Sequence, residues 1–131
     1  MDITTKSGQR IRRLLGGRSN VYLITAGERA LLIDTGRARR FGRIVARLAR
    51  LKIDRLDVIL LTHTHFDHAE NAAALAGCYR AKIIVQEREA GALGSGDSPL
   101  PRGSVLATRW LMTRLTPWLQ PRVAYRPAGP D

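Results

Sequence analysis

At 131 residues the chain has the length of one ordinary domain and can bury a core. It carries 22 lysines and arginines against 11 aspartates and glutamates, and the net charge of +11 favours anionic partners such as nucleic acid, an acidic membrane surface or a charged substrate. The single cysteine excludes an internal disulfide framework, the N-terminus lacks the basic-then-apolar order of a secretion signal, and no apolar run reaches membrane-spanning length, so a soluble cytoplasmic protein is expected.

Taken in chain order, Ile11 to Leu15 reads as a first strand and Gly16-Gly17 as a turn. Val21 to Thr25 and Arg29 to Ile33 flank a glycine-containing hairpin connection, and Asp34-Thr35-Gly36 ends the second of these strands. Ala38 to Leu51 is the clearest helix. Phe41, Ile44, Val45, Leu48 and Leu51 share one face, while Arg39, Arg40, Arg43, Arg47 and Arg50 decorate the rest. Such a helix packs its apolar face on a sheet and leaves its arginine heads in water. Val58 to Leu61 is a short apolar run expected to be a strand covered on both faces, and helix followed by buried strand fits an α/β layer.

Beyond this strand, Ala69 to Ala76 is expected to form one helix of about two turns, with Cys78 just past its end as a small buried hydrophobe. Lys82 to Val85 reads as a strand, and Gln86 to Ala90 starts a helix with acidic residues in its first turns, as the helix dipole favours. Residues 94–121 combine a Gly/Ser/Pro loop with an apolar, aromatic helix over Ser104 to Leu115. That helix, with Trp110 in it and Trp118 just beyond, fits a substrate-gating lid, a partner-binding or membrane-touching segment, or a helix packed on a further part of the fold.

The chemistry concentrates in Thr62-His63-Thr64-His65-Phe66-Asp67-His68, which holds all 3 histidines of the chain. In an extended backbone His63 and His65 project from one face, close enough to grip one metal ion. Asp67 and His68 join them only if the chain turns at Phe66-Asp67. Imidazole nitrogen and carboxylate oxygen suit zinc, and a purely structural zinc site would ordinarily use cysteine. Four clustered donors exceed what one open catalytic ion needs, which points to two neighbouring metals.

His63-Thr64-His65-Phe66-Asp67-His68 resembles the H-x-H-x-D-H signature of the metallo-β-lactamase-fold hydrolases. Ser19 to Ile24 followed by Ala30-Leu31-Leu32-Ile33-Asp34-Thr35-Gly36 is similar to that family's opening hairpin and IDTG turn, and Asn71 matches an asparagine common after the last histidine, although Ala69 stands where a glycine is usual. The resemblance implies an αββα sandwich, here incomplete: an N-terminal half of mixed sheet and covering helices, forming a single domain over 1–131 that is cut short at its C-terminus. It also implies a hydrolase with two metal ions, zinc (Zn2+) first and iron or manganese as alternatives. His63 and His65 would hold metal 1, Asp67 and His68 metal 2, and Asp67 would double as the catalytic residue that orients the attacking water.

Asp34 would orient the histidine loop from behind or serve as a turn-forming residue, and Asn71 would support the ligands in the same way. The family takes its remaining ligands, histidines and a bridging aspartate, from a second half, whereas after His68 this chain has no histidine and only Asp97 and Asp131. The implied reaction is attack of metal-bound hydroxide on an ester, thioester, lactone or related bond of a small-molecule substrate. A homo-oligomer or a complementing chain would finish the site. A nuclease-like or nucleic-acid-binding member is one alternative, and a non-catalytic fragment or partner subunit is the other.

Overall fold

Alternation of apolar side chains along short strands decides which face of the sheet is buried. In the computed structural model, which describes residues 1–98, 123–124 and 126–130, six strands form one sheet in the order β1 to β6. They are β1 (Asp2–Thr4), β2 (Arg10–Leu15), β3 (Val21–Ala26), β4 (Arg29–Ile33), β5 (Val58–Leu60) and β6 (Lys82–Ile84). Pairing is antiparallel from β1 to β4 and parallel from β4 through β6. Consequently β2, β4, β5 and β6 all end at one edge.

Leu23, Leu32, Ile59 and Ile83 lie in register across β3 to β6 and are buried. Two helices cover this row. The crossover from β4 to β5 carries α1 (Phe41–Arg50), and that from β5 to β6 carries α2 (Phe66–Ala69) and α3 (Ala72–Tyr79). Both crossovers step the same way along the sheet, so the right-handed rule puts their helices on the same face. Ile44 and Leu48 of α1 and Leu75 of α3 are fully buried there. On the opposite face Val58 and Leu60 are only half-buried, so complete cover of β5 on both sides, expected from its apolar run, is not observed.

The mixed sheet with covering helices agrees with the expected architecture. Several details differ. Strand β1 has no apolar signature, and it forms because its main chain pairs with β2 while the Asp2 carboxylate binds Arg10 and Arg12 at 3.3 and 3.0 Å. The helix after Gly36 opens as a 3-10 turn, Ala38–Arg40, whose Ala38 N–H donates to Glu70 Oε2 at 2.7 Å.

The expected single helix over Ala69 to Ala76 is instead α2 and α3, broken where Glu70 and Asn71 turn their side chains to hold residues 35–38. Helix α3 then runs through Tyr79. Its inward positions are Ala72, Leu75 and Tyr79, which leaves Cys78 on the outer surface and not buried. Helix α4 (Glu87–Ser95) takes in Gly94 and Ser95, expected to be loop, and is followed by β7 (Asp97–Ser98) paired with β8 (Val123–Ala124). The expected Ser104 to Leu115 helix and both tryptophans lie outside the described residues. Among the described residues no helix is long and apolar enough to cross a membrane.

Candidate metal centre

Three connections leave the common edge of β4, β5 and β6, and all three converge on the histidine stretch. Strand β5 delivers Leu61 to His65. Helix α2 starts immediately after, with His68 N–H and Ala69 N–H donating to the His65 carbonyl at 2.8 and 3.0 Å. This first turn of α2 is the bend the sequence required. It returns Asp67 and His68 towards the extended pair.

The His63 ring lies edge-on to His65 with centroids 4.7 Å apart and 4.1 Å from the His68 ring, and His68 Nε2 is 3.8 Å from Asp67 Oδ2. All four predicted donors thus occupy one cluster. Within it, no three His, Cys, Asp or Glu side chains among the described residues converge as one complete metal-holding group.

Asp34 organises it. The residue is 4% exposed and sits in the left-handed region at φ 57, where its N–H donates to the Leu60 carbonyl at 2.9 Å. Its carboxylate accepts from Thr62 N–H at 2.9 Å, from the Thr62 hydroxyl at 2.9–3.0 Å and lies 2.8 Å from His68 Nδ1. A carboxylate can only accept, so His68 carries its hydrogen on Nδ1 and keeps the Nε2 lone pair for a ligand. The Thr62 hydroxyl has one hydrogen and gives it to Asp34. Its oxygen, 3.0 Å from His63 Nδ1, therefore accepts, which leaves the His63 Nε2 lone pair free as well. One buried aspartate sets the tautomer of two histidines, one of them through Thr62.

Burial lowers the His63 pKa, and the neighbouring His68 and His65 rings push the same way against the opposing pull of Asp34 and Asp67. Neutral imidazole is the form that binds a metal. Nitrogen and oxygen donors in this state fit zinc, and also fit iron or manganese.

The peptide around Asp34 is clamped to α2. Thr35 N–H and hydroxyl both donate to the His68 carbonyl at 2.7 Å. Asn71 does not reach the histidines, as a direct support would. Its Nδ2 donates to the carbonyls of Thr35, Gly36 and Arg37 at 2.8, 3.2 and 2.9 Å, so it holds the turn that carries Asp34. Gly36, at φ 66, lies where a Cβ would meet Val21 Cγ2 at 3.4 Å, which is why this turn can press against β3.

Three features had no sequence signal of their own: the Thr62 relay, the stacking of the Arg37 guanidinium 4.8 Å from the Phe66 ring, and Glu89. Glu89 Oε2 accepts from both the N–H (2.9 Å) and the hydroxyl (2.5 Å) of Thr64. Those two bonds hold its carboxyl below the usual carboxylate range, with burial opposing and the His63 and His65 rings adding to the fall.

The sequence profile of the metallo-beta-lactamase superfamily matches residues 14–125. A probable metallo-hydrolase of Methanocaldococcus jannaschii is 34% identical over 82 residues, covering 63% of this chain and 39% of that protein. An atrochrysone carboxyl ACP thioesterase of Aspergillus fumigatus is 38% identical over 68 residues, 45% of this chain and 22% of the relative. An exodeoxyribonuclease of Bacillus anthracis is 29% identical over 73 residues, 56% of this chain and 28% of the relative. Among solved structures, a subclass B3 metallo-beta-lactamase of Bradyrhizobium japonicum superposes with a TM-score of 0.63 at 23% identity, over 86% of this chain and 37% of its own, which is a likeness of fold. The chain thus spans well under half the length of each of these proteins.

Proposed function

Because the chain belongs to the metallo-beta-lactamase superfamily of metallo-hydrolases, we propose that His63 and His65 hold one metal ion and Asp67 and His68 a second, both zinc, in a site that hydrolyses an ester, thioester or related bond of a small molecule. The observation that carries this reading is the Asp34–Thr62 network, which presents the Nε2 lone pairs of His63 and His68 to the same cluster. Two donors per ion leave the remaining ligands to residues other than these four, for which a second copy of the chain or a complementing chain is one source.

A zinc ion held by these residues would supply an acidified water at neutral pH and polarise the substrate oxygen. Asp34 keeps His63 and His68 in the tautomer that can ligate. Asp67 would accept a hydrogen bond from that water and so orient it. The thioesterase among the relatives supports a thioester as one bond to try.

The test is zinc content by elemental analysis of the purified chain and of His65→Ala, with ester and thioester hydrolysis measured alongside. Zinc retained by the wild type and sharply reduced in the variant, with secondary structure preserved, is expected. Equal zinc in both refutes the assignment.

One observation favours a second reading, a nuclease-like or nucleic-acid-binding protein. Arg12, Arg13, Arg47 and Arg50 line a single cleft of about 280 Å³ between β2 and α1, and one relative is an exodeoxyribonuclease. That reading requires DNA binding that weakens steeply with salt, as counterion release dictates.

A further inference from the structure

Glu89 is 25 residues from Thr64 and meets it only because β6 lies beside β5. The Leu61 N–H donates to the Ile84 carbonyl at 2.9 Å, which carries the parallel pairing to the ends of both strands. Helix α4 then begins almost at once. Its start is fixed by Gln86, whose side-chain oxygen accepts from Arg88 N–H at 2.7 Å while its carbonyl accepts from Glu89 N–H at 2.8 Å. Glu89 therefore stands in the first turn of a capped helix, beside the chain leaving β5.

Thr64 is 1% exposed, and its N–H belongs to no helix or sheet ladder. A buried N–H in such a stretch needs an acceptor, and Glu89 Oε2 provides one for it and for the hydroxyl together. The consequence is directional. In extended chain Thr64 points away from His63 and His65, so an anchor that draws Thr64 inwards turns both imidazoles outwards on the same face. Asp34 grips Thr62 and Glu89 grips Thr64, which leaves His63 held between two anchored neighbours that belong to different parts of the sheet edge.

From this geometry we propose that Glu89 is a positioning residue for the His63–His65 pair, acting through Thr64. Its consequence for metal binding rests on the ligand roles proposed above, whereas the placement of the two rings does not. Glu89 makes no hydrogen bond to either histidine, so its action is on their spacing and not on the reacting atoms.

The experiment compares wild type, Glu89→Gln and Glu89→Ala as full chains, first without metal. Ring-to-ring NOEs between His63 and His65 and hydrogen exchange at the Thr64 amide are the readouts. Gln retains one oxygen that can accept both Thr64 bonds, so it should keep the ring contact and slow exchange. Ala should lose the contact and speed Thr64 exchange at least about tenfold, while the Leu32 and Ile59 amides keep their protection. A merely structural loss would speed all of them together. Thr64→Val, which keeps the N–H bond and drops the hydroxyl, should fall between.

Ring contact unchanged in Glu89→Ala overturns the proposal. So does Glu89→Gln behaving like the alanine variant, since charge and not geometry would then be acting. Zinc titration comes second. About a tenfold weaker zinc affinity in Glu89→Ala, restored in Glu89→Gln, is the expected consequence. A wild type that shows the ring contact but takes up no zinc sinks the metal reading alone and leaves the positioning role standing.

Discussion

Asp34→Asn is the most revealing single change in this chain, because it removes one acceptor without removing any volume. The carboxylate serves Thr62 with one oxygen, and with the other it serves the Thr62 hydroxyl and His68 Nδ1. An amide offers one acceptor and one donor. If its NH2 faces His68, the ring must move its hydrogen to Nε2, and the lone pair aimed at the cluster is lost. If the amide flips, its NH2 faces the Thr62 N–H instead.

The first arrangement gives up the ligating tautomer of His68, and the second leaves one donor facing a donor beside a residue that is 4% exposed. An unmet buried donor costs about 1–3 kcal/mol, and the exposure of Thr62 places this case at about 1–2 kcal/mol. With a urea slope of about 1.5 kcal/mol/M the unfolding midpoint should fall by roughly 1 M. Urea unfolding by circular dichroism measures that shift, and nitrogen-15 ring shifts report the tautomers. His68 should hold its hydrogen on Nδ1 in the wild type and lose that preference in the variant. An unchanged midpoint together with an unchanged His68 tautomer would refute the argument.

Thr62→Val should release only His63 from its fixed tautomer and leave His68 as it was, which the same ring shifts resolve. The Glu89 carboxyl has its pKa lowered from an ordinary value near 4.5, so its contribution is present above that value and disappears as pH falls through the lower folded pKa. The stability difference between wild type and Glu89→Gln should therefore shrink as unfolding is followed from pH 6 towards pH 3, and a constant difference would contradict the direction of the shift. The Cys78 thiol lies on the outer surface of α3 and should react with a thiol reagent in the native chain at the rate of an exposed cysteine. A lag that matches unfolding would put it back in the core.

Local spacing in the sequence is enough to place much of this protein. The strands over 10–15, 21–26, 29–33, 58–60 and 82–84 follow from short apolar runs and glycine turns, and α1 follows from the three-four spacing of Phe41, Ile44, Val45 and Leu48. The grouping of the candidate donors follows from the same local reading. His63, His65, Asp67 and His68 fall within six consecutive positions, so their clustering needs only an extended segment and one turn.

What a linear reading could not reach is everything that depends on residues far apart in the chain. Asn71 with the turn after β4 and Glu89 with Thr64 are separated by 36 and 25 positions and meet only because parallel strands end at one edge, and for Asp34, expected to support the histidine loop, the same edge decides that its partners are Thr62 and His68 Nδ1. The break between α2 and α3 has the same origin. Alanine-rich sequence favours one continuous helix, but the side chains of Glu70 and Asn71 gain buried hydrogen bonds with residues 35–38 that an unbroken helix would not deliver. Cys78 is exposed for a related reason, since the exact end of α3 decides which side of the helix it occupies. Sequence determined which donors this protein offers. Tertiary structure decided which nitrogen His63 and His68 present, because that depends on Asp34, an acceptor brought from another strand.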